Sequence, residues 1–198
     1  QYGGIDNDWR ADTLGLPKQK KSHDETTWSD GRELPVIYSY SPHVLPKPAD
    51  WSENIHVTGY WFLEQAKDFE PTPELGKFLE AGPAPVYVGF GSMAGRDPET
   101  VTRAVIAALE KSSQRGIIAT GWGGLNVSQL PDTIMKIEQA PHDWLFPRMA
   151  AVVHHGGAGT TAAGLRAGRP TIICPFFGDQ PFWGRRIHEL GVGSEPIP

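Results

Sequence analysis

One cysteine, Cys174, stands in the 198-residue chain, so no intramolecular disulfide can form. It lies in the apolar run from Pro170 to Phe177 and reads as a buried small hydrophobe in a reducing compartment. No stretch approaches the ~20 consecutive apolar residues of a membrane span. Positive charge is also in short supply: 18 Lys and Arg stand against 23 Asp and Glu, a formal net charge of -5. That balance argues against a nucleic-acid partner. The basic run Lys18 to Lys21, broken by Gln19, reads as a solvated loop. The N-terminus, Gln1-Tyr2-Gly3-Gly4, shows neither an initiator Met nor a signal-peptide pattern. Both ends read as cut, and the chain as part of a longer protein.

What is present suits a folded domain. Hydrophobic residues make up 39% and charged residues 21%, within the globular range. Residues 1 to 33 read as polar loop with one short helix. Val36 to Ser41 and Ile55 to Thr58 are short β-type runs, with Pro42, Pro46 and Pro48 marking an extended, stiff connector between them. From residue 84 the pattern changes. Five apolar strands are expected: Pro85 to Phe90, Gly116 to Thr120, Ile134 to Glu138, Ala151 to His154 and Thr171 to Pro175. Helices alternate with them. Asp97-Pro98-Glu99 opens one, with Asp97 as cap and Val101, Val105, Ala108 and Leu109 as its buried stripe. Ala162 to Ala167 continues a second, which stops at Gly168. Pro181 begins a third. The alternation predicts an α/β fold, a Rossmann-like parallel sheet with helices on both faces, binding ligands at the carboxyl ends of its strands.

Three loops at that edge carry chemistry. In His155-Gly156-Gly157-Ala158-Gly159-Thr160-Thr161 a strand feeds a glycine-rich turn and then a helix. Such a turn lets an anion approach backbone N–H groups at the positive end of the helix dipole. Thr160 and Thr161 add hydroxyls, and His155 a ring N–H. A ligand-free tight turn is the plain alternative; His and Thr at this turn favour a phosphate site. In Phe177-Gly178-Asp179-Gln180-Pro181, Asp179 and Gln180 suit vicinal sugar hydroxyls, but on this motif alone a cap for the following helix is the stronger reading. In Gln139-Ala140-Pro141-His142, backbone groups beside Ala140 can meet a base edge. Trp144, Phe146, Phe176 and Phe177 read as core; Trp122 divides evenly between packing and stacking.

The order of these segments resembles the donor-binding signature of the GT-B glycosyltransferases that use UDP-sugars. His154 to Thr161, Leu165 to Pro170 and Pro175 to Gln180 are most similar to the sterol 3β-glucosyltransferase branch. So are Gly89 to Met93, Pro141 to Pro147 and Tyr40 to Pro48. The resemblance implies the C-terminal half of a GT-B fold: residues 1–50 as the tail of the N-terminal acceptor domain and connector, and 51–198 as the UDP-sugar-binding domain, truncated before its last helices. It assigns the diphosphate to His155, Ala158, Gly159 and Thr160, the base and ribose to Gln139, Ala140 and His142, the hexose to Asp179 and Gln180, and a facing position to Ser92. Plant relatives place Trp where Gln139 stands and a ribose-binding Glu where Ala163 stands, so by this resemblance ribose recognition here either comes from elsewhere or is weaker.

By the same resemblance, no catalytic residue lies in this chain. The base belongs to the missing N-terminal domain, and this chain alone is expected to be inactive. No metal or resident cofactor is implied, UDP-glucose being a co-substrate. A lipophilic acceptor reaches the enzyme through the missing domain. A cytoplasmic location is expected, with peripheral membrane contact left open for the full-length protein. A nucleotide-sugar-binding subunit of a split glycosyltransferase, acting with a separate acceptor-binding chain, is the alternative. A dinucleotide-binding oxidoreductase fits worse. After Gly89-Phe90-Gly91 the third glycine is out of place, and no acidic residue closes a second strand about 20 residues on.

Overall fold

The structure, a computed structural model, describes residues 3–18, 27–28, 30–91, 97–120 and 130–197. It divides into two compact units, Gln1–Tyr60 and Trp61–Pro198.

The first unit is lightly packed. Helix α1 (Gly3–Asp12) exposes both Ile5 and Trp9, which lie one turn apart. Strands β1 (Val36–Tyr38) and β2 (Ile55–Val57) pair in parallel. The expected boundary at residue 50 falls between these paired strands, and the pairing carries residues 51–60 with the first unit. The stretch from Pro42 to Pro48 is not the extended connector its prolines suggest. It turns at its start, because the N–H groups of Val44 and Leu45 both donate to the Ser41 carbonyl, each at 3.0 Å. The Ser41 hydroxyl accepts the His43 N–H in turn, at 3.2 Å. Local hydrogen bonding by a serine here outweighs the stiffness of the flanking prolines. Tyr38 stacks on Trp51 with ring centroids 4.8 Å apart.

The second unit is built on a five-stranded parallel sheet. Helix α2 (Pro73–Glu80) precedes β3 (Val86–Gly89), and α3 (Pro98–Lys111) leads to β4 (Gly116–Ala119) and β5 (Ile134–Ile137). Then come α4 (His142–Leu145), β6 (Ala151–His154), α5 (Ala158–Arg166), β7 (Thr171–Ile173) and α6 (Gln180–Glu189). All five expected strands form: β6 with the expected bounds, β3 trimmed at both ends, and β4, β5 and β7 trimmed at their carboxyl ends. Their order is β5-β4-β3-β6-β7. The chain starts in the middle, winds to one edge, then returns across β3 to build the other side. The reversal lies between β3 and β6, where Gly89 pairs with His154 at the carboxyl ends. In such sheets the crevice at the reversal takes the ligand.

Strand alternation divides the core. Tyr87, Ile117, Ile137 and Val152 face α2, α4 and the single 3-10 turn after α4, packing on Leu75, Leu145, Phe146 and Met149. Ile118 and Ile134 face the other way, against Leu109, Val101, Val105 and Ile106 of α3. Helices therefore cover both faces, as the alternation of elements predicts. The largest fully buried side chain is Phe146, whose loss to Ala carries an expected cost of about 3–5 kcal/mol. Ala108 was expected in the buried stripe of α3 but is exposed, and Thr102 is buried in its place. Thr102 tolerates this because its hydroxyl donates to the Pro98 carbonyl at 2.7 Å. Asp97 caps α3 as expected, its carboxylate accepting the Thr100 N–H at 3.0 Å.

Candidate functional site

Helix α5 starts without a side-chain cap. Its first internal bond runs from the Thr161 N–H to the Gly157 carbonyl at 2.9 Å. The N–H groups of Ala158, Gly159 and Thr160 therefore have no partner within the helix. Ala158 and Gly159 are exposed at this end. Such a start attracts an anion. The turn that delivers it depends on Gly156, whose φ is +91°. A Cβ at that position would stand 2.6 Å from Ile173 Cγ2 and 3.2 Å from the Gln180 carbonyl oxygen. The backbone can pass only because no side chain is there.

Two histidines flank this turn with different roles. His154 is wholly buried, and its Nδ1 accepts the Gly156 N–H at 2.9 Å. Nδ1 is thus unprotonated and Nε2 carries the proton, without a hydrogen-bond partner among the described residues. Burial, reinforced by His155 and His142, pushes its pKa down to about 3. His155 is half-buried and lies at the site itself. Burial lowers its pKa too, while the charge of Asp179 works in the opposite direction. A neutral His155 retains one ring N–H to donate. Of the two threonines expected to offer hydroxyls, only Thr160 can. Thr161 is buried, and its hydroxyl donates to the Gly157 carbonyl at 3.0 Å, which removes it from the site.

The loop after β7 holds a second pair. Asp179 occupies the N-cap position of α6 but makes no capping bond. Instead its Oδ2 accepts the indole N–H of Trp183 at 2.8 Å. Gln180 is buried, and its Oε1 accepts the N–H groups of Phe176 at 2.7 Å and Phe177 at 3.1 Å. Neither residue serves as the helix cap that the motif alone favours. Gln180 has only its amide NH2 left for a ligand, while Asp179 is exposed. Phe176 and Phe177, expected in the core, are exposed, Phe177 by 63%. They lie in a turn closed by Gly178 at φ +68°, outside the strand that would bury them.

The third segment follows β5. Gln139, Ala140, Pro141 and His142 line a hollow of about 330 Å3, joined there by Gln65 and Phe69. His142 opens α4 and stacks on Phe146 with centroids 4.3 Å apart. Its pKa is lowered, chiefly by burial; His155 adds to the effect and Asp143 opposes it. Asp143 Oδ2 accepts the N–H groups of Gln65 at 2.8 Å and Ala66 at 2.9 Å. Burial alone would raise that carboxyl, but these backbone donors outweigh it and hold it below the usual range. Ser92 and Trp122, both singled out in the sequence, lie outside the described residues. Among the described residues, no three His, Cys, Asp or Glu side chains gather as a metal site. No helix among them is long and apolar enough to cross a membrane.

Glu64, Gln65 and Arg166 were not among the residues picked out from the sequence. They line a larger hollow, of about 460 Å3, with His142, Asp143 and Ala163. No local motif marks Glu64 or Gln65. They arrive through a contact made across 78 residues, from Gln65 to Asp143.

Residues 103–197 match the family described as erythromycin biosynthesis protein CIII-like, C-terminal domain. The chain is 54% identical over 173 residues to sterol 3-beta-glucosyltransferase UGT80A2 of Arabidopsis thaliana, covering 87% of this chain and 27% of that protein. It is 43% identical over 199 residues to a sterol 3-beta-glucosyltransferase of Leptosphaeria maculans, covering 94% of this chain and 13% of that one. The chain thus spans about a quarter or less of the length of these relatives. The chain shares its fold with the solved kitacinnamycin glycotransferase, with a TM-score of 0.63 at 19% identity over 81% of this chain and 41% of that one. It also shares that fold with Arabidopsis thaliana UGT89C1 complexed with UDP, at a TM-score of 0.61 and 22% identity over 82% of this chain and 45% of that one.

Proposed function

We propose that the Trp61–Pro198 unit binds the donor of a sterol glucosyltransferase, UDP-glucose. The observation that carries this reading is the uncapped start of α5 beside a neutral His155, at the point where the winding of the sheet reverses. Three free N–H groups and one ring N–H suit a diphosphate, and the helix dipole offsets the charge that grows on it as it leaves. Asp179 is placed to accept from hexose hydroxyls. Gln139, Ala140 and His142 lie where a base and pentose would rest. The relatives' names supply the sterol and the glucose. UDP in complex with UGT89C1, a protein of the same fold, supports the nucleotide. In the reaction the acceptor oxygen bonds the anomeric carbon from the face opposite the diphosphate, and the bond from that carbon to the diphosphate breaks. The general base and the acceptor pocket come from outside this chain.

Calorimetric titration tests the reading. UDP and UDP-glucose should bind the chain, and NAD should not. His155→Ala should weaken UDP by about 1–3 kcal/mol with little change in melting temperature, because the side chain serves the ligand rather than the core. UDP-glucose with a sterol should give no glucoside above background. Sustained turnover by the pure chain would overturn the placement of the base elsewhere, and NAD binding in place of UDP would overturn the nucleotide-sugar reading.

A further inference from the structure

The two hollows beside α4 share Gln65 and His142 in their linings. They therefore adjoin as one trough, with His142 near enough to His155 for their charges to interact. A nucleoside diphosphate held by its phosphates at α5 would lay its pentose and base along this trough.

The pentose presents a vicinal diol. Two O–H donors are best met by a carboxylate, which accepts at both oxygens. Two carboxylates line the larger hollow, those of Glu64 and Asp143. Asp143 is already committed: its Oδ2 holds the backbone at Gln65 and Ala66 and so fixes the segment that carries Glu64. Glu64 is differently placed. Its Oε1 accepts from Arg166 Nη2 at 2.9 Å. The Arg166 guanidinium also lies over the Phe62 ring, 4.5 Å from its centroid. A cation packed on an aromatic face is restrained, and it restrains the carboxylate bonded to it. Glu64 Oε2 makes no bond to another described residue. On the facing helix Ala163, three residues before Arg166, offers only a methyl group. That wall of the hollow leaves room but supplies no acceptor.

We infer that Glu64, held by Arg166, accepts hydrogen bonds from the pentose diol of the donor nucleotide. The inference rests on the nucleotide reading of the α5 start and adds to it a residue more than 90 positions earlier in the chain. Glu64 acts from the edge of the unit, on a segment that Asp143 ties to α4, rather than from the helix that binds the phosphates.

The test uses three probes: UDP, 2′,3′-dideoxy-UDP and inorganic pyrophosphate. Against the parent chain, dideoxy-UDP should bind roughly tenfold or more weakly than UDP, the loss expected when hydrogen bonds to a charged acceptor disappear. Glu64→Gln keeps the length of an exposed side chain and should leave the melting temperature in place. It should lower UDP affinity by a similar factor, leave pyrophosphate unchanged, and bind UDP and dideoxy-UDP nearly alike. Equal binding of UDP and dideoxy-UDP by the parent would overturn the inference without any variant. So would a Glu64→Gln chain that holds UDP as tightly as the parent does. Either result alongside pyrophosphate binding would leave the phosphate site standing. A parent that binds neither UDP nor pyrophosphate would remove the nucleotide reading and this inference with it.

Discussion

Helices α3 and α5 both follow strands of the same sheet and begin at its carboxyl edge, yet their first turns are finished in opposite ways. α3 closes itself: Asp97 caps the Thr100 N–H, and its second oxygen takes the Thr100 hydroxyl at 2.6 Å. α5 has glycine where a cap would stand and leaves its first N–H groups open. Capping stabilises a helix by about 1 kcal/mol, so an uncapped start in a well-packed unit forgoes stability. The difference teaches where stability and ligand chemistry part. α3 completes its own first turn, whereas the start of α5 has no side-chain cap and is where the donor phosphates are proposed to bind.

The sharpest way to break this contrast is to disturb the turn that presents α5. Gly156→Ala should destabilise the chain by about 3 kcal/mol, from positive-φ strain together with overpacking against Ile173. It should abolish UDP binding as well, because the N–H groups would no longer converge. Thermal melting and titration on the same sample check both effects. A variant that loses stability but still binds UDP would show that the turn serves packing alone.

His154 sharpens the comparison through pH. Its neutral form holds the turn, and its folded pKa, about 3, lies below the ordinary value of 6.5. The unfolded chain therefore binds the proton first as pH falls. The contribution is fully present above pH 6.5 and is lost progressively down towards pH 3. Between pH 7 and pH 5 this one group should cost about 2 kcal/mol. A His154→Asn variant, less stable at pH 7, should show a flatter dependence over that interval. Identical slopes in denaturant titrations of the two proteins would mean that His154 is protonated without cost and does not hold the turn.

Much of this was legible in the sequence because the decisive groups are contiguous. Short Val- and Ile-rich runs between turns announce the five strands. His155 to Thr161 carries the turn after β6 and the helix start in seven residues, so its geometry follows from local rules. The rest was hidden where partners are distant or where a side chain has a choice. Glu64 meets Arg166 across 102 residues, with no pattern at either end. Gln180 reads from its motif as a cap before a ligand contact, and only the folded loop shows its carbonyl oxygen turned to Phe176 and Phe177. Thr160 and Thr161 look alike in sequence. Helical phase alone sends the second into the core.

A smaller effect comes from the capped partner in the comparison. Asp97→Ala should lower the melting temperature by a few degrees. It should not change UDP affinity, because the side chain's bonds go to its own first turn. The hydrogen bonds from Thr100 hold the Asp97 carboxyl below its usual range, so the cap should weaken only in acid. If Asp97→Ala weakens UDP as much as His155→Ala does, the two helix starts are not functionally distinct and the contrast fails.

The subtlest test falls on Asp179, which sits at a third helix start and belongs to neither type. It stands at an N-cap position but gives its oxygen to Trp183 rather than to the helix. Loss of capping therefore cannot account for what a substitution does there. Asp179→Asn retains an oxygen that can accept from the Trp183 indole, so melting temperature should stay near that of the parent. It removes the charge that strengthens a bond to a sugar hydroxyl. It also removes the charge that keeps the pKa of His155 from falling further. UDP has no hexose, and its affinity should hardly move at pH 7, where His155 is neutral in either protein. UDP-glucose should lose whatever advantage it has over UDP, and in a full-length enzyme the transfer rate should fall. Titrating both nucleotides into both proteins separates the roles. An unchanged ratio of the two affinities would leave Asp179 as an anchor for Trp183 and take hexose recognition away from this helix start.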